Sequence, residues 1–232
     1  MASGIKEQRM TVIQVINEVR QLVGLNTITS LTTDKQARVA LRLLNAVTRE
    51  LGNMGDWKEM LVSANVTAVV SVREYSIGYK HPIHHIHEIS ISGRSQALDP
   101  IDLSRYLRYA RAGGVGTPAF FTHKEVDQWG NARFAVHPQP SSAEDGNFFG
   151  VVFYRKPRLY LTCDADVEIE FPADLVIDGL YAKFLEEEAG GVATRESMGS
   201  WQTFNTQGQE ELNRFNADAG KGSNTQLRPR RR

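Results

Sequence analysis

The feature that most constrains the fold of this chain is a double change in the period of its apolar residues. Apolar side chains recur at helical spacing in residues 11–25 and 33–51, alternate with the two-residue period of strands from about residue 60, and return to helical spacing after Phe171. These two periods place apolar residues on different kinds of surface. The sequence therefore predicts an α+β protein in which a β-rich middle separates two helical ends.

The predicted helices carry end signals. The two N-terminal helices each begin at a capping-box pair and end at a glycine. These residues are Thr11 with Gln14, Gly24, Thr33 with Gln36, and Gly52. After the β-rich middle, Pro172 suits the first turn of a helix that Gly190 and Gly191 end, and a last helix is predicted over residues 195–217. A short helix over residues 103–112, with Asp102 as its cap, interrupts the strands.

Each terminal helix pair has an apolar stripe that it cannot bury alone, so the two pairs are expected to pack together as a bundle. The β-rich middle is then an inserted antiparallel β domain. The predicted divisions are an N-terminal helical hairpin (1–58), the inserted β domain (59–170), the C-terminal helix pair (171–218) and a basic tail (219–232). The tail has no acidic residue and almost no apolar ones, so we expect it to be flexible.

Charge and cysteine content exclude several classes of protein. Lysine plus arginine equals aspartate plus glutamate at 27 each, so no net charge draws the whole chain to nucleic acid or to a membrane surface. The single Cys163 excludes an internal disulfide framework and a thiolate zinc site. No signal peptide and no apolar run long enough to span a bilayer are visible. We expect a soluble chain that is synthesised in the cytoplasm.

Four of the six histidines lie in one predicted strand, residues 80–91. They are His81, His84, His85 and His87. In a regular strand, His85 and His87 project to the face that carries Ile83, Ile89 and Ile91, while His84 and Glu88 project to the other face. At most two of these neighbouring imidazoles can therefore converge on one ion. The pattern favours a half-buried strand over a metal site.

A metal-dependent hydrolase remains the alternative interpretation of the cluster from His81 to His87. A catalytic zinc needs three protein ligands and an open position. His85 and His87 would require a third ligand from across the sheet, either His123 or His137. No spacing rule links these residues, and the helical His-Glu-x-x-His pattern is absent.

For three other segments we prefer a purely structural interpretation to a binding site. The glycine-rich residues 112–121 are a turn before a strand, because no Gly-Lys-Ser/Thr follows them. The acidic residues 163–171 are a solvated connector, because they lack the loop of a calcium hand. The three-residue spacing of Arg105, Arg108 and Arg111 fits a solvated helix face rather than a nucleic-acid site. No catalytic, cofactor-binding or metal-binding residue is predicted.

A third alternative is a carbohydrate-binding β module with helical flanks. Its binding site would rest on exposed aromatic side chains, and the first candidates are Tyr106, Tyr109 and Trp129.

The C-terminal arginines are different in kind from all of these. Arg228, Arg230, Arg231 and Arg232 form a compact cationic run, which suits docking into an acidic groove or onto phosphate.

The whole layout resembles the head-to-tail adaptor proteins of tailed bacteriophages, and within them the tail tubular protein A or gatekeeper family of short-tailed phages. The likeness rests on the order of several segments, which are "MTVIQVINEVRQLVGL", "LGNMGDWKEML", "GTPAFFTHKE", "FAVHPQPSS", "VVFYRKPRLYLT", "FPADLVIDGLYAKFLEEEAG" and "QGQEELNRFNADAGKGSNT". Gly55-Asp56-Trp57, Gly116-Thr117-Pro118 and Phe171-Pro172 are the most suggestive junctions.

That resemblance implies a non-catalytic structural protein of the virion, located at the head-tail junction. It implies a twelve-fold ring of identical copies between the portal protein and the tail nozzle protein, with DNA passing through the lumen only as cargo. The helical part would dock on the portal and the β part would meet the nozzle. The four C-terminal arginines would then be a portal-docking tail. No cofactor and no membrane contact are implied.

Overall fold

A computed structural model describes residues 9–33, 35–94 and 96–220, with side chains up to residue 217. The fold mixes helices with antiparallel and mixed sheets, which confirms the α+β class. In chain order the elements are α1 (Val12–Leu22), α2 (Lys35–Met54), β1 (Leu61–Thr67), β2 (Glu74–Ile77), β3 (Ile83–Ile91), β4 (Asp99–Pro100), α3 (Leu103–Ala112), β5 (Val115–Gly116), β6 (Phe120–Val126), β7 (Ala132–His137), β8 (Gln139–Pro140), β9 (Phe148–Arg155), α4 (Ala173–Glu188) and α5 (Arg195–Gly220).

The chain divides into two compact units. The β unit is Met60–Lys156, and the helical unit comprises the described residues up to Glu59 and from Pro157 onward. Residues 157–170, which the sequence assigned to the β domain, therefore belong to the helical unit.

Two predicted helix caps are confirmed. At the start of α1, the Thr11 backbone N–H donates to Gln14 Oε1 at 2.8 Å, and the Gln14 N–H donates to Thr11 Oγ1 at 3.4 Å. At the start of α3, Asp102 accepts a hydrogen bond from the Arg105 backbone N–H at 2.8 Å. Such caps involve residues three positions apart, so the sequence alone indicates them.

The predicted end of α2 is wrong. The helix continues through Gly52 to Met54. A Cβ atom at Gly52 would lie 2.6 Å from Cγ of Pro157, so the glycine admits the close approach of a second segment rather than ending the helix. A glycine in a helix interior costs about 1 kcal/mol relative to alanine. At Gly52 this cost is offset by the close packing of Pro157 against the helix.

Residues 157–170 form no strand because their backbone groups find partners within the helical unit. The Asn45 side chain of α2 donates from Nδ2 to the Tyr160 carbonyl at 2.9 Å, and its Oδ1 accepts from the Tyr160 N–H at 2.8 Å. The Tyr160 hydroxyl in turn accepts from the Glu170 N–H at 2.9 Å. At the start of α1, the Val12 N–H donates to the Val167 carbonyl at 2.9 Å. The segment is therefore fastened to both N-terminal helices.

Helix α4 contacts each of α1, α2 and α5. It lies close to two of them at Gly179, where an added Cβ would lie 2.7 Å from Cε2 of Phe204 in α5 and 2.8 Å from Cγ1 of Val47 in α2. Val47 and Phe204 are both fully buried. The missing side chain at Gly179 thus lets residues from both ends of the sequence meet in one core.

In the β unit, a three-stranded sheet of order β1-β9-β3 faces a four-stranded sheet of order β2-β7-β6-β4. The three-stranded sheet is antiparallel as predicted, but the four-stranded sheet is mixed, because β4 pairs in parallel with β6. The two-residue strands β5 and β8 form a separate parallel pair. One apolar core joins the sheets. Its buried side chains are Ala68, Tyr75, Ile77, Ile83, Ile86, Ile89, Ile91, Leu98, Phe121, Ala132, Phe134, Val136, Phe149, Val151 and Phe153.

Candidate interaction surface

The four arginines of the predicted docking tail, Arg228, Arg230, Arg231 and Arg232, lie outside the described residues. Their role in docking stays a prediction. The candidate surfaces therefore come from the described residues, and the histidine-rich strand β3 is one of them.

The prediction that Ile83, Ile89 and Ile91 share the buried face is confirmed, but His87 does not join them, because β3 is not a regular strand. Its pairing with β9 shifts register between Ile83 and His85 and again between Ile86 and Glu88. Each extra residue moves the following side chains to the opposite face. Four isoleucines therefore point into the core, at Ile83, Ile86, Ile89 and Ile91. His84 and His87 are exposed and His85 is half-buried.

The histidines of β3 make ring contacts. The His85 and His87 rings lie 5.1 Å and 5.5 Å from the ring of Tyr154 in β9, measured between centroids. The His84 ring lies 5.0 Å from that of His85. In residues 9–33, 35–94 and 96–220, no three or more His, Cys, Asp or Glu side chains come together in a way that could hold a metal ion. The metal-site interpretation gains no support from this strand.

Two further histidines are partly buried in the β unit. Nε2 of His123 in β6 and Nδ1 of His137 in β7 are buried without a hydrogen-bond partner. Burial lowers the pKa of His123 below its ordinary value of 6.5, and the charge of His85 lowers it further. Burial also lowers the pKa of His137, with a smaller effect from Arg73. Both imidazoles are therefore held neutral at pH 7.

These two histidines predict a loss of stability in weak acid. Because their folded-state pKa values lie below 6.5, the unfolded chain takes up protons first as the pH falls through 6.5. The free energy of unfolding should therefore decrease from pH 7.5 to pH 5.5, as measured by urea denaturation. His123→Gln should reduce that decrease. His84→Gln, at an exposed position, is the control and should not change it.

A decrease that is the same in the wild type and in a His123→Gln/His137→Gln variant would contradict this prediction. The pH window is chosen above the range in which most carboxylates titrate. Residual change below pH 5 would report those carboxylates instead.

The aromatic residues proposed for carbohydrate binding do not form one surface. Tyr106 is buried, only 3% exposed. The Tyr109 ring stacks on Phe120 and on His137, with centroids 5.6 Å and 5.5 Å away. Trp129 alone of the three is widely exposed, at 75%. Two of the three candidates therefore hold α3 against the sheet.

The glycine-rich residues 112–121 lead into β6 as predicted, but they also contain the short strand β5, and Thr117 after it is held by a buried carboxylate. Glu144 accepts from the Thr117 hydroxyl at 2.8 Å and from the Asn147 side chain at 3.0 Å, and the Arg94 guanidinium lies 3.6 Å from it. Glu144 is only 7% exposed. This network accounts for Thr117 without a bound phosphate.

The acidic residues 163–171 are not simply a solvated connector. Asp164 is 6% exposed and accepts from the Arg158 guanidinium at 2.6 Å and from the Leu161 backbone N–H at 2.7 Å. The prediction of a solvated segment is wrong for this residue. Its carboxylate fixes the turn at residues 161–164 in the helical unit.

The structure shows an apolar surface that the sequence did not indicate. Residues 69–72, here called the valine loop, connect β1 to β2. Val69, Val70 and Val72 are 43%, 40% and 36% exposed. The sequence predicts the two-residue period of strands from about residue 60, and this loop interrupts that period. The adjacent valines at 69 and 70, which break the two-residue alternation, were the available signal.

The valine loop is rigidly held although its side chains are exposed. The Val70 N–H donates to Asp145 Oδ1 at 3.0 Å, and the Ser71 N–H donates to the Pro140 carbonyl at 3.0 Å. The Val69 N–H donates to the Tyr75 hydroxyl at 3.2 Å, and that hydroxyl lies 3.1 Å from the Val72 carbonyl. Burial raises the pKa of Tyr75 above 10.0, so the hydroxyl keeps its proton.

The helical unit has a groove of about 400 Å³ with a mixed apolar and charged lining, here called the helical groove. It runs between α5 and the segment after α2, and its lining includes Trp57, Pro172, Leu212 and Phe215. Trp57 is fixed in place, since its Nε1 donates to the Leu51 carbonyl at 2.6 Å. Charged residues also line it, and they are Lys58, Glu59, Glu211 and Arg214.

The sequence matches no protein-family model and no curated protein. None of the described helices has both the length and the apolar content that a bilayer crossing requires. The valine loop and the helical groove are the two surfaces that the functional proposal uses.

Proposed function

We propose that this chain is a structural, non-catalytic adaptor of a tailed bacteriophage, which forms a ring between the portal protein and the tail nozzle protein. The observation that carries the proposal is the valine loop. An apolar surface that is held rigid by backbone hydrogen bonds and is left open to solvent is typical of a surface that another protein covers. The sequence resemblance to the head-to-tail adaptors supplies the class of partner.

The division into two units supports the same role. A ring of identical subunits between two different partners must present one surface to each of them, and a further pair of surfaces to its neighbours. In the proposal, the helical groove and the C-terminal arginines meet the portal, and the valine loop meets the nozzle. The helices α1, α2, α4 and α5 form the bundle that docks. DNA passes through the lumen as cargo, and the protein resides at the head-tail junction of the virion.

The decisive experiment is a mass measurement of the purified protein mixed with its portal complex. We expect a discrete complex that contains twelve copies per portal ring. Recovery of free protein and free portal at micromolar concentrations would refute the adaptor role. Deletion of residues 219–232 tests the tail separately: unchanged portal binding would remove the four arginines from the interface.

The valine loop has its own test. Val70→Asp/Val72→Asp should weaken binding of a portal-adaptor complex to the nozzle protein by at least about tenfold, because two charges would be buried without partners. Portal binding should be unchanged. Val192→Asp, at a valine of the helical unit that is 66% exposed, is the matched control. Equal nozzle binding by both variants would exclude the valine loop from that contact.

A further inference from the structure

Strand β1 has an edge with which no described strand pairs. It is an outer strand of the β1-β9-β3 sheet, and among the described residues no strand pairs with its second edge. Its seven residues pair with β9 in one unbroken register, from Leu61 opposite Tyr154 to Thr67 opposite Phe148. The strand, "LVSANVT", contains no charge, no proline and no bulge. A charged side chain, a proline or a bulge is what usually prevents another strand from pairing with an exposed edge.

The other outer strands of the two sheets are protected. Strand β3 carries two register shifts, and Ala97 bridges to it at Ser90. Strand β2 has only four residues, and its Glu74 is paired with Lys124 and Arg133. Strand β4 has only two residues. The open edge of β1 is therefore a specific feature and not a general property of this β unit.

The core beneath β1 is also incompletely covered. Val62, Ala64 and Val66 point toward the apolar core but are only partly buried. The alternate residues Leu61, Ser63, Asn65 and Thr67 are exposed on the other face. A strand added at this edge would cover the three core-facing side chains and would satisfy the outward backbone groups of β1.

We infer that the occupant of this edge is β1 of a second copy of the chain, paired antiparallel about a two-fold axis at Ala64. In that register the two faces match themselves. Val62 lies opposite Val66 of the other copy, Ala64 opposite Ala64, Ser63 opposite Asn65, and Leu61 opposite Thr67. On the core-facing side the apolar side chains meet apolar ones, on the exposed side Ser63 meets the Asn65 amide, and no charges are opposed.

The pairing joins the two three-stranded sheets into one six-stranded sheet and makes the two cores continuous. It is isologous, because the same strand is used by both copies, so it closes as a dimer and cannot propagate into a ring. The inference therefore goes beyond the proposed adaptor role. It describes the free protein, in which the dimer shields an aggregation-prone edge.

The test introduces charges at two exposed positions of β1 and measures the mass of the full chain in solution by sedimentation equilibrium. The wild type should have twice the 26.0 kDa mass of a single chain. Ser63→Lys/Asn65→Lys places like charges opposite each other twice across the axis, and should raise the dimer dissociation constant by about tenfold or more. Ser63→Lys/Asn65→Glu adds charges at the same positions but pairs opposite signs, and should remain dimeric.

A wild type that stays monomeric up to millimolar concentration would overturn the inference. Dimers of equal strength in all three proteins would also overturn it, because β1 would then not be the contact. Loss of the dimer on deletion of residues 221–232 would assign the edge to the C-terminal segment instead, with the same consequence. The portal mass measurement is independent of these results, so failure of the adaptor role and failure of the dimer are distinguishable.

Discussion

Replacement of Phe204 by alanine is expected to lower the free energy of unfolding by about 3–5 kcal/mol. Phe204 is fully buried, and its ring fills the space left by Gly179 of α4, beside Val47 of α2. Its removal leaves a cavity where helices from the two ends of the chain meet. In a chain of this length the midpoint of thermal unfolding should fall by about 10 °C. Urea denaturation followed by circular dichroism measures the effect.

A double-mutant cycle tests the geometry directly. Gly179→Ala alone should destabilise, because overpacking by the new methyl group costs about 1–3 kcal/mol and exceeds the gain in helix propensity. In the Phe204→Ala background, much of the clash disappears, so the two losses should be less than additive by about 1 kcal/mol. Strict additivity would show that residues 179 and 204 do not touch. Met198→Ala, at a position of α5 that is 55% exposed, should have almost no effect.

Replacement of Phe134 by alanine is the matching prediction for the β unit, again with an expected loss of about 3–5 kcal/mol. Phe134 is fully buried in β7. Its ring stacks on Tyr75 at 5.5 Å and meets Phe149 of the facing sheet edge-on at 6.1 Å. The ring therefore joins the two sheets and supports the tyrosine that holds the valine loop. We also expect faster hydrogen exchange at the Val69 amide.

Trp129→Ala is the control for that prediction. Trp129 is in the same unit and is 75% exposed, so its removal should change stability by no more than about 0.5 kcal/mol. A comparable loss in both variants would contradict the assigned core. Normal exchange at Val69 in the Phe134→Ala protein would show that the valine loop is held independently of the aromatic cluster.

Much of the secondary structure could be predicted because its signals are local. The capping pair of Thr11 with Gln14 and the cap at Asp102 act over three residues, and both are present in the structure. The change from helical to strand period likewise reports which backbone suits each stretch. The sequence was therefore a sufficient basis for the α+β class and for most element positions.

The errors arose where the deciding contact joins distant residues. Gly52 has the usual character of a helix end, but its role is to admit Pro157. Residues 157–170 were assigned to the β domain, yet Asn45, 115 residues away from Tyr160, hydrogen-bonds both backbone groups of that tyrosine within the helical unit. The two register shifts of β3 depend on its pairing with β9. No local pattern encodes these partners.

The candidate surfaces divide in the same way. The sequence by itself determined the helical N- and C-terminal parts, the β-rich middle, the caps at Thr11 and Asp102 and the absence of a thiolate zinc motif, because each follows from residue type and short spacing. Only the tertiary structure decided that the valines at 69–72 stay outside, that β1 lies at an open edge, and that His85 and His87 flank Tyr154. Exposure and strand order are set by which distant segments pack together, and that is a property of the whole fold.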